Sequence, residues 1–282
     1  MNVPDDYRKE SRARWGVQAK GWAARAEAMA RATMPVSVWM VDALALQPGD
    51  EVLELAAGIG DVGFLAAEQI APGGTLISSD FVPEMITVAQ ARAERMGIAE
   101  VRFRQIDAES IDQPAASLDG VLCRWGYMLM ADPEAALRET RRILKPGARL
   151  ALAAWAGPAE NPWASLPMSE LVERGHVERP EPGAPGQFRW ARPGTIEEQL
   201  DAVGFTEYEV DTVDFANVYP SVDAWIAINS DCSMMLRSAL ERLDAAERED
   251  VIAAIREKAL PFVREDGSAV VPARSWVAAA VA

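Results

Sequence analysis

The stretch Val52-Leu-Glu-Leu-Ala-Ala-Gly-Ile-Gly-Asp-Val-Gly63 constrains this chain more than any other, because it runs from an apolar strand into a glycine turn and then into a helix. Without side chains at Gly58 and Gly60, the backbone there is free to adopt positive φ and to let a ligand approach its N–H groups. The following Phe64-Leu-Ala-Ala-Glu-Gln-Ile70 reads as the helix whose N-terminus faces that ligand. Such a turn is a nucleotide cradle. Gly58, Gly60 and Gly63 also satisfy the G-x-G-x-x-G dinucleotide pattern, with Asp80 downstream at a suitable distance, so an NAD(P)-dependent oxidoreductase is the rival reading. Glu54 separates the two: a dinucleotide-binding strand is apolar at that point, whereas a carboxylate there suits a cationic amine. The chain also lacks a Tyr-x-x-x-Lys pair.

The alternation of strand and helix continues. Leu76-Ile-Ser-Ser-Asp80 is a second apolar strand ending in an acid, followed by a helix over 83–96. Val101-Arg-Phe-Arg-Gln-Ile-Asp-Ala-Glu109 is a third strand, again with an acid, Asp107, at its end. Leu118-Asp-Gly-Val-Leu-Cys-Arg124 is a fourth, continuing as Trp125-Gly-Tyr-Met-Leu-Met130 at the edge where doubly wound sheets place their ligands. An amphipathic helix over 132–144 is stopped by Lys145-Pro-Gly147 before a fifth strand over 149–154.

On these residues the chain resembles the class I S-adenosylmethionine (SAM) methyltransferases, whose first motif is an acid followed by x-Gly-x-Gly-x-Gly. Glu54, Gly58 and Gly60 match it, and Ala56 stands where the family usually has its first glycine. The pattern is most similar to the ubiquinone and menaquinone C-methyltransferases and their natural-product relatives. The resemblance implies a Rossmann-like, doubly wound, seven-stranded α/β sheet, mostly parallel with the last strand antiparallel, carrying helical capping insertions. It implies that Asp80 accepts hydrogen bonds from both ribose hydroxyls, with Phe81 and Met85 as neighbouring contacts to the adenosine. Asp107 would bond the adenine amino group and Ala108 would offer a backbone N–H to the ring. Arg124 and the segment after it would lie beside the reactive methyl, with Arg124 and Tyr127 able to orient an acidic or phenolic acceptor.

Composition agrees with an enzyme of one to two domains. Half of the 282 residues are hydrophobic, enough for a sizeable core. No apolar run approaches the roughly 20 residues that span a bilayer, and the first residues lack a secretory pattern, so a cytoplasmic protein with no membrane insertion is expected. Cys123 and Cys232 form no metal or redox motif and suggest a reducing compartment; Cys123 reads as a small apolar residue of the fourth strand. A net charge of −15 repels phosphate backbones and disfavours nucleic acid as a partner. Arg8, Lys9, Arg12, Arg14, Lys20 and Arg25 alternate with acids at helical spacing and read as a solvated helix face. Trp15 and Trp22 lie one heptad apart on that helix, placed either to pack on the domain or to close over a cofactor.

The expected organisation is an N-terminal helical lid over 1–40, a SAM-binding core over 41–156, a capping excursion over 157–194, a return to the core over 195–218, a helical cap over 219–266 and a final core strand over 267–282. Trp163, Phe188, Trp190, Trp225, Met234 and Met235, in the two excursions, offer an apolar, adaptable surface for a greasy or aromatic acceptor. His176 is the single histidine, and an imidazole titrates near neutrality, which makes it the candidate general base. No His/Asp/Glu cluster with metal-ligand spacing stands out, and no metal is expected. The reading is a SAM-dependent methyltransferase for a small, largely apolar acceptor, with O-methylation slightly ahead of C-methylation. The protein would act as a monomer or homodimer, and a SAM-binding protein without catalysis is the other alternative.

Overall fold

The computed structural model describes residues 3–181 and 183–282; Met1 and Asn2, at the head of the expected lid, and Pro182, in the expected proline-glycine loop, lie outside the described residues. Seven strands form one sheet: β1 (Glu51–Glu54), β2 (Thr75–Asp80), β3 (Val101–Gln105), β4 (Leu118–Arg124), β5 (Leu144–Trp155), β6 (Thr206–Tyr219) and β7 (Ala269–Val281). Their order is β3-β2-β1-β4-β5-β7-β6. All run parallel except β7, which pairs antiparallel with both β5 and β6.

The central strands are apolar at their middles because both faces are covered. Leu53, Val121 and Cys123 enter one core cluster, while Val52, Leu76 and Leu122 enter the other, as the two-residue period of a strand requires. The first cluster is roofed by α4 (Pro133–Ile143) and α6 (Thr195–Val203), through Ala136, Leu137, Ile196 and Leu200. The second is roofed by α2 (Asp61–Ile70), α3 (Pro83–Met96) and the last turns of α1 (Val3–Ala43), through Phe64, Ala89, Val36 and Met40. Cys123 is fully buried in the first cluster, and burial pushes its thiol up to about 12.

Local chemistry sets the helix ends. α3 opens with Pro83 and stops at Gly97 in the left-handed region, whose N–H bonds the carbonyls of Ala93 and Glu94. Asp132 caps α4 by accepting the Ala135 N–H at 2.9 Å. One strand is longer than its sequence suggests. β5 begins at Leu144, which already pairs with Leu118, and Lys145-Pro-Gly147 is absorbed in a register shift between Leu118 and Gly120 instead of ending the element. β6 extends to Tyr219 because its ladder with β7 continues to Ala269.

After β5 and again after β6 the chain leaves the sheet at the carboxyl edge of the parallel strands. The first departure makes α5 (Pro162–Glu173), the second α7 (Val222–Cys232), α8 (Met234–Arg242) and α9 (Ala245–Ala259). These four helices bury Leu171, Ile226, Leu236, Leu240, Val251 and Ile255 against one another. Trp225, Tyr219 and Val271 join this group to the sheet. The sheet order reverses direction between β1 and β4, which opens a crevice at their carboxyl ends.

Candidate active site

At that crevice the chain after β1 makes three positive-φ residues in close succession: Ala56 (φ 50), Gly58 (φ 55) and Gly60 (φ 87). Ala56 holds this conformation although it carries a Cβ, a sparsely populated state that needs its surroundings to hold it. The supports are visible. Leu55 N–H bonds Leu122 O at 2.8 Å, Ala57 N–H bonds Ser79 O at 2.8 Å, and Ser79 donates to Glu54 O at 2.7 Å. A Cβ at Gly60 would stand 2.5 Å from the Phe64 ring, whereas one at Gly58 would meet nothing within 4 Å. The space above Gly58 is therefore open to a ligand.

Glu54 lies beneath this turn and is 2 % exposed. Its carboxylate accepts the Gly63 N–H at 2.9 Å and the Ser78 hydroxyl at 3.3 Å, which fixes α2 against β1. Each of its two oxygens is thus bonded inside the protein, beneath the turn. Burial pushes it up to about 7, opposed by the Gly63 N–H and the Arg124 charge. Asp80, at the end of β2, accepts the Gly58 N–H at 2.9 Å and the Val82 N–H at 2.9 Å, one on each oxygen. A carboxylate offers about four lone-pair sites, so acceptor capacity remains on both oxygens. Burial raises Asp80 to about 6.

Beyond Asp80 the wall belongs partly to α1. Trp15, Ala19, Trp22 and Ala26 pack on Ile59, Phe81, Val82 and Met85, and the two indoles meet edge to face at 5.8 Å. The Trp22 indole N–H is buried without a partner. Outside this contact lies a groove of about 780 Å³, with Arg8, Lys9 and Arg12 of α1 on one side and Phe81, Gln105 and the exposed Asp107 on the other. The basic start of α1 thus faces a groove as well as solvent. It is fastened there by Tyr7 donating to Leu129 O at 2.7 Å and by Arg8 paired with Glu109. Ala108 is buried beside Asp107.

On the other side of the turn, Trp125 follows β4 with φ 57, and Gly126 approaches Ala56 so closely that a Cβ would stand 2.8 Å from the Ala56 Cβ. The Trp125 ring stacks on Trp155 at 4.1 Å, with Trp163 at 4.9 Å and Phe215 at 6.0 Å from Trp155, making an aromatic wall at the ends of β4 and β5. Among the apolar candidates of the excursions, Trp163 joins it. Trp190 stacks on Tyr127, Trp225 on Tyr219, Phe188 packs on the core, and Met235 is exposed.

The acid–base candidates are not gathered here. Tyr127 is corrected by the structure: its ring is 1 % exposed and its hydroxyl bonds Thr140 at 2.7 Å, on the core side of the turn, so it has no acceptor to orient. His176 stands in the turn after α5, where its backbone N–H bonds Leu171 O at 2.9 Å, and its neighbour Val177 packs with the cap helices. Arg124 is turned towards α1 and α2, its guanidinium donating to Thr33, Ser37 and Asp61. Sequence reasoning missed Asp61, Ser78 and Ser79, the polar residues that hold the turn; the one available signal was their position beside Gly60 and Asp80 in otherwise apolar elements. Among the described residues no group of three His, Cys, Asp or Glu side chains is placed to hold a metal ion. No described helix is long and apolar enough to cross a membrane.

Comparison with known proteins agrees with this geometry. Residues 46–177 match the methyltransferase domain family. The chain is 31% identical over 184 residues to the demethylmenaquinone methyltransferase of Thermus thermophilus, covering 60% of this chain and 80% of that one. It is 28% identical over 204 residues to the nocamycin O-methyltransferase of Saccharothrix syringae, covering 68% and 72%. The YcgJ protein of Bacillus subtilis shares the fold, with a TM-score of 0.56 at 20% identity over 87% of this chain and 97% of that one. With a strand-borne acid beneath an open glycine turn, a second acid at the next strand end and four-fifths of a methyltransferase aligned at this identity, the chain belongs to the SAM-dependent methyltransferases.

Proposed function

We propose that this enzyme methylates a small, largely apolar or aromatic acceptor, at oxygen in preference to carbon, with SAM lying across Gly58 and Gly60. The observation that carries the reading is the open space above Gly58, with the buried carboxylate of Asp80 bonded to the Gly58 N–H and that of Glu54 beneath the turn. The residues present fit the cofactor. Asp80 has acceptor capacity left for a ribose diol, Phe81 offers apolar surface backed by the buried Met85, and Asp107, with the buried Ala108 behind it, borders the groove where an adenine would end. Bound SAM would supply a methyl group already activated by the sulfonium charge.

The protein's own contribution is then positioning and exclusion of water. Glu54 provides a buried negative charge beneath the site. α1 covers the adenosine end through Trp15 and Trp22. The Trp125–Trp155–Trp163 wall, with Trp163 at its half-buried end, gives the acceptor side an aromatic lining. With Tyr127 committed to Thr140 and His176 on the cap, methyl transfer rests on alignment, and the acceptor is one whose own hydroxyl is acidic, such as a phenol or enol. The nocamycin O-methyltransferase supports oxygen as the target, while the demethylmenaquinone enzyme supports a quinone-like ring. The two excursions close over this acceptor, as a cap on the carboxyl edge.

The test is calorimetry with S-adenosylhomocysteine and NADH, followed by turnover on a panel of phenols, enols and quinols with mass-spectrometric location of the methyl group. S-adenosylhomocysteine should bind and NADH should not. Asp80→Ala should weaken the former about a hundredfold, since bonds to an ionised group are worth up to about 3 kcal/mol. Methyl found on ring carbon would overturn the preference for oxygen, and unchanged affinity in a folded Asp80→Ala variant would remove Asp80 from the site.

A further inference from the structure

Asp61 follows Gly60 directly as the first residue of α2, and its carboxylate is buried between two arginines of other elements. Oδ1 lies 2.7 Å from Arg92 of α3, and Oδ2 accepts from Arg124 at the end of β4 at 3.0 Å. The side chain of Asp61 is 3% exposed, those of Arg92 and Arg124 7% and 10%. Each arginine carries the connection onward. Arg92 donates to the carbonyl of Ile59, the residue between the two glycines of the turn. Arg124 donates to Thr33 at 2.6 Å and Ser37 at 2.9 Å, both on α1, and its guanidinium lies 4.7 Å over the Trp125 ring.

Stability alone does not account for such a cluster. An aspartate at a helix N-terminus already gains from the helix dipole without any arginine, and a buried ion triad contributes no more stability than apolar residues of equal volume. What the triad adds is a fixed geometry shared by four elements. The turn touches α1 in two places, through the Ile59 side chain beside Ala19 and Trp22 and through the path Asp61–Arg124–Thr33/Ser37.

We propose that Asp61 is a positioning residue that couples the glycine turn to α1, so that a cofactor held on the turn and a docked α1 stabilise each other. This rests on the reading that Gly58 and Gly60 hold SAM. Thermodynamic reciprocity then requires that loosening α1 at Thr33 and Ser37 weaken a ligand that those hydroxyls do not touch.

A double-mutant cycle decides it, with S-adenosylhomocysteine affinity by calorimetry on the full chain. Asp61→Asn keeps the volume and removes the charge; Thr33→Val with Ser37→Ala removes the two acceptors on α1. Each should weaken binding by about tenfold, and the triple variant should be no weaker than Asp61→Asn alone, because both act through Arg124. Hydrogen exchange adds a readout that loss of packing would not reproduce: S-adenosylhomocysteine should slow amide exchange along α1 in the parent and not in Asp61→Asn. Losses that multiply in the triple variant, or parent-like affinity in either branch, would overturn the coupling. If Asp61→Asn does not fold, Arg124→Lys replaces it in the same cycle, with the same two outcomes. A parent that failed to bind S-adenosylhomocysteine would instead remove the cofactor reading on which the coupling stands.

Discussion

Glu54 sets the electrostatics of the site at the scale of one residue. Its carboxyl is raised from the ordinary 4.5 to about 7 by burial, and Asp80 to about 6 by the same cause. A cation placed above the turn favours the ionised form of Glu54, so a ligand binding below pH 7 must displace a proton. Affinity for S-adenosylhomocysteine, whose amine is cationic, should therefore rise about tenfold between pH 6 and pH 8, and Glu54→Gln should flatten the profile. Stability of the unliganded protein moves the other way. Both acids have folded values above their unfolded ones, so between pH 8 and pH 5 the native state takes up more protons than the unfolded chain and gains stability as pH falls. Calorimetry and thermal melts across this range check both signs; parallel trends would mean that Glu54 is ionised without help from a ligand.

At the scale of elements, α1 is the part whose seating has the most consequence. Gly21 lets it approach α7: a Cβ there would stand 2.2 Å from the Asp231 carbonyl oxygen, and Arg25 pairs with Asp231 at 2.9 Å one turn further on. In an exposed helix, Gly→Ala would stabilise by about 1 kcal/mol. Here the methyl must push backbone from backbone, an overpacking that costs about 1–3 kcal/mol, and the clash wins. Gly21→Ala should lower the denaturation midpoint, and a rise would show that α1 does not rest on α7. Much of this architecture was legible before any coordinates. α3 and β4 fall where the alternation of strand and helix puts them, and the glycine turn with Asp80 announces the ligand edge. What was not legible is what distant pairing decides. Leu144 joins β5 because Leu118 is waiting for it, despite the Lys-Pro-Gly that follows. Tyr127 points into the core because Trp125 adopts positive φ, for which a tryptophan gives no local warning. Asp61 finds Arg124 across 63 positions, a separation at which no sequence period operates.

At the scale of the whole molecule, charge separates small ligands from large anionic ones. The chain carries −15, and several of its cations are already paired: Arg8 with Asp5 and Glu109, Arg25 with Asp231, and Arg92 and Arg124 with the buried Asp61. Lys9 and Arg12 border the groove beside Asp107 and Glu84, which oppose them. A polyphosphate approaching α1 therefore meets isolated cations in a negative field, whereas tight binding to nucleic acid requires several phosphates neutralised together, each releasing a counterion. A small acceptor carries no such requirement. The expected outcome is that neither tRNA nor duplex DNA retards the protein in a gel at physiological salt, and that neither inhibits turnover. A retarded complex that dissolves as salt is raised would locate a basic surface along α1, and Lys9→Glu with Arg12→Glu should then abolish it.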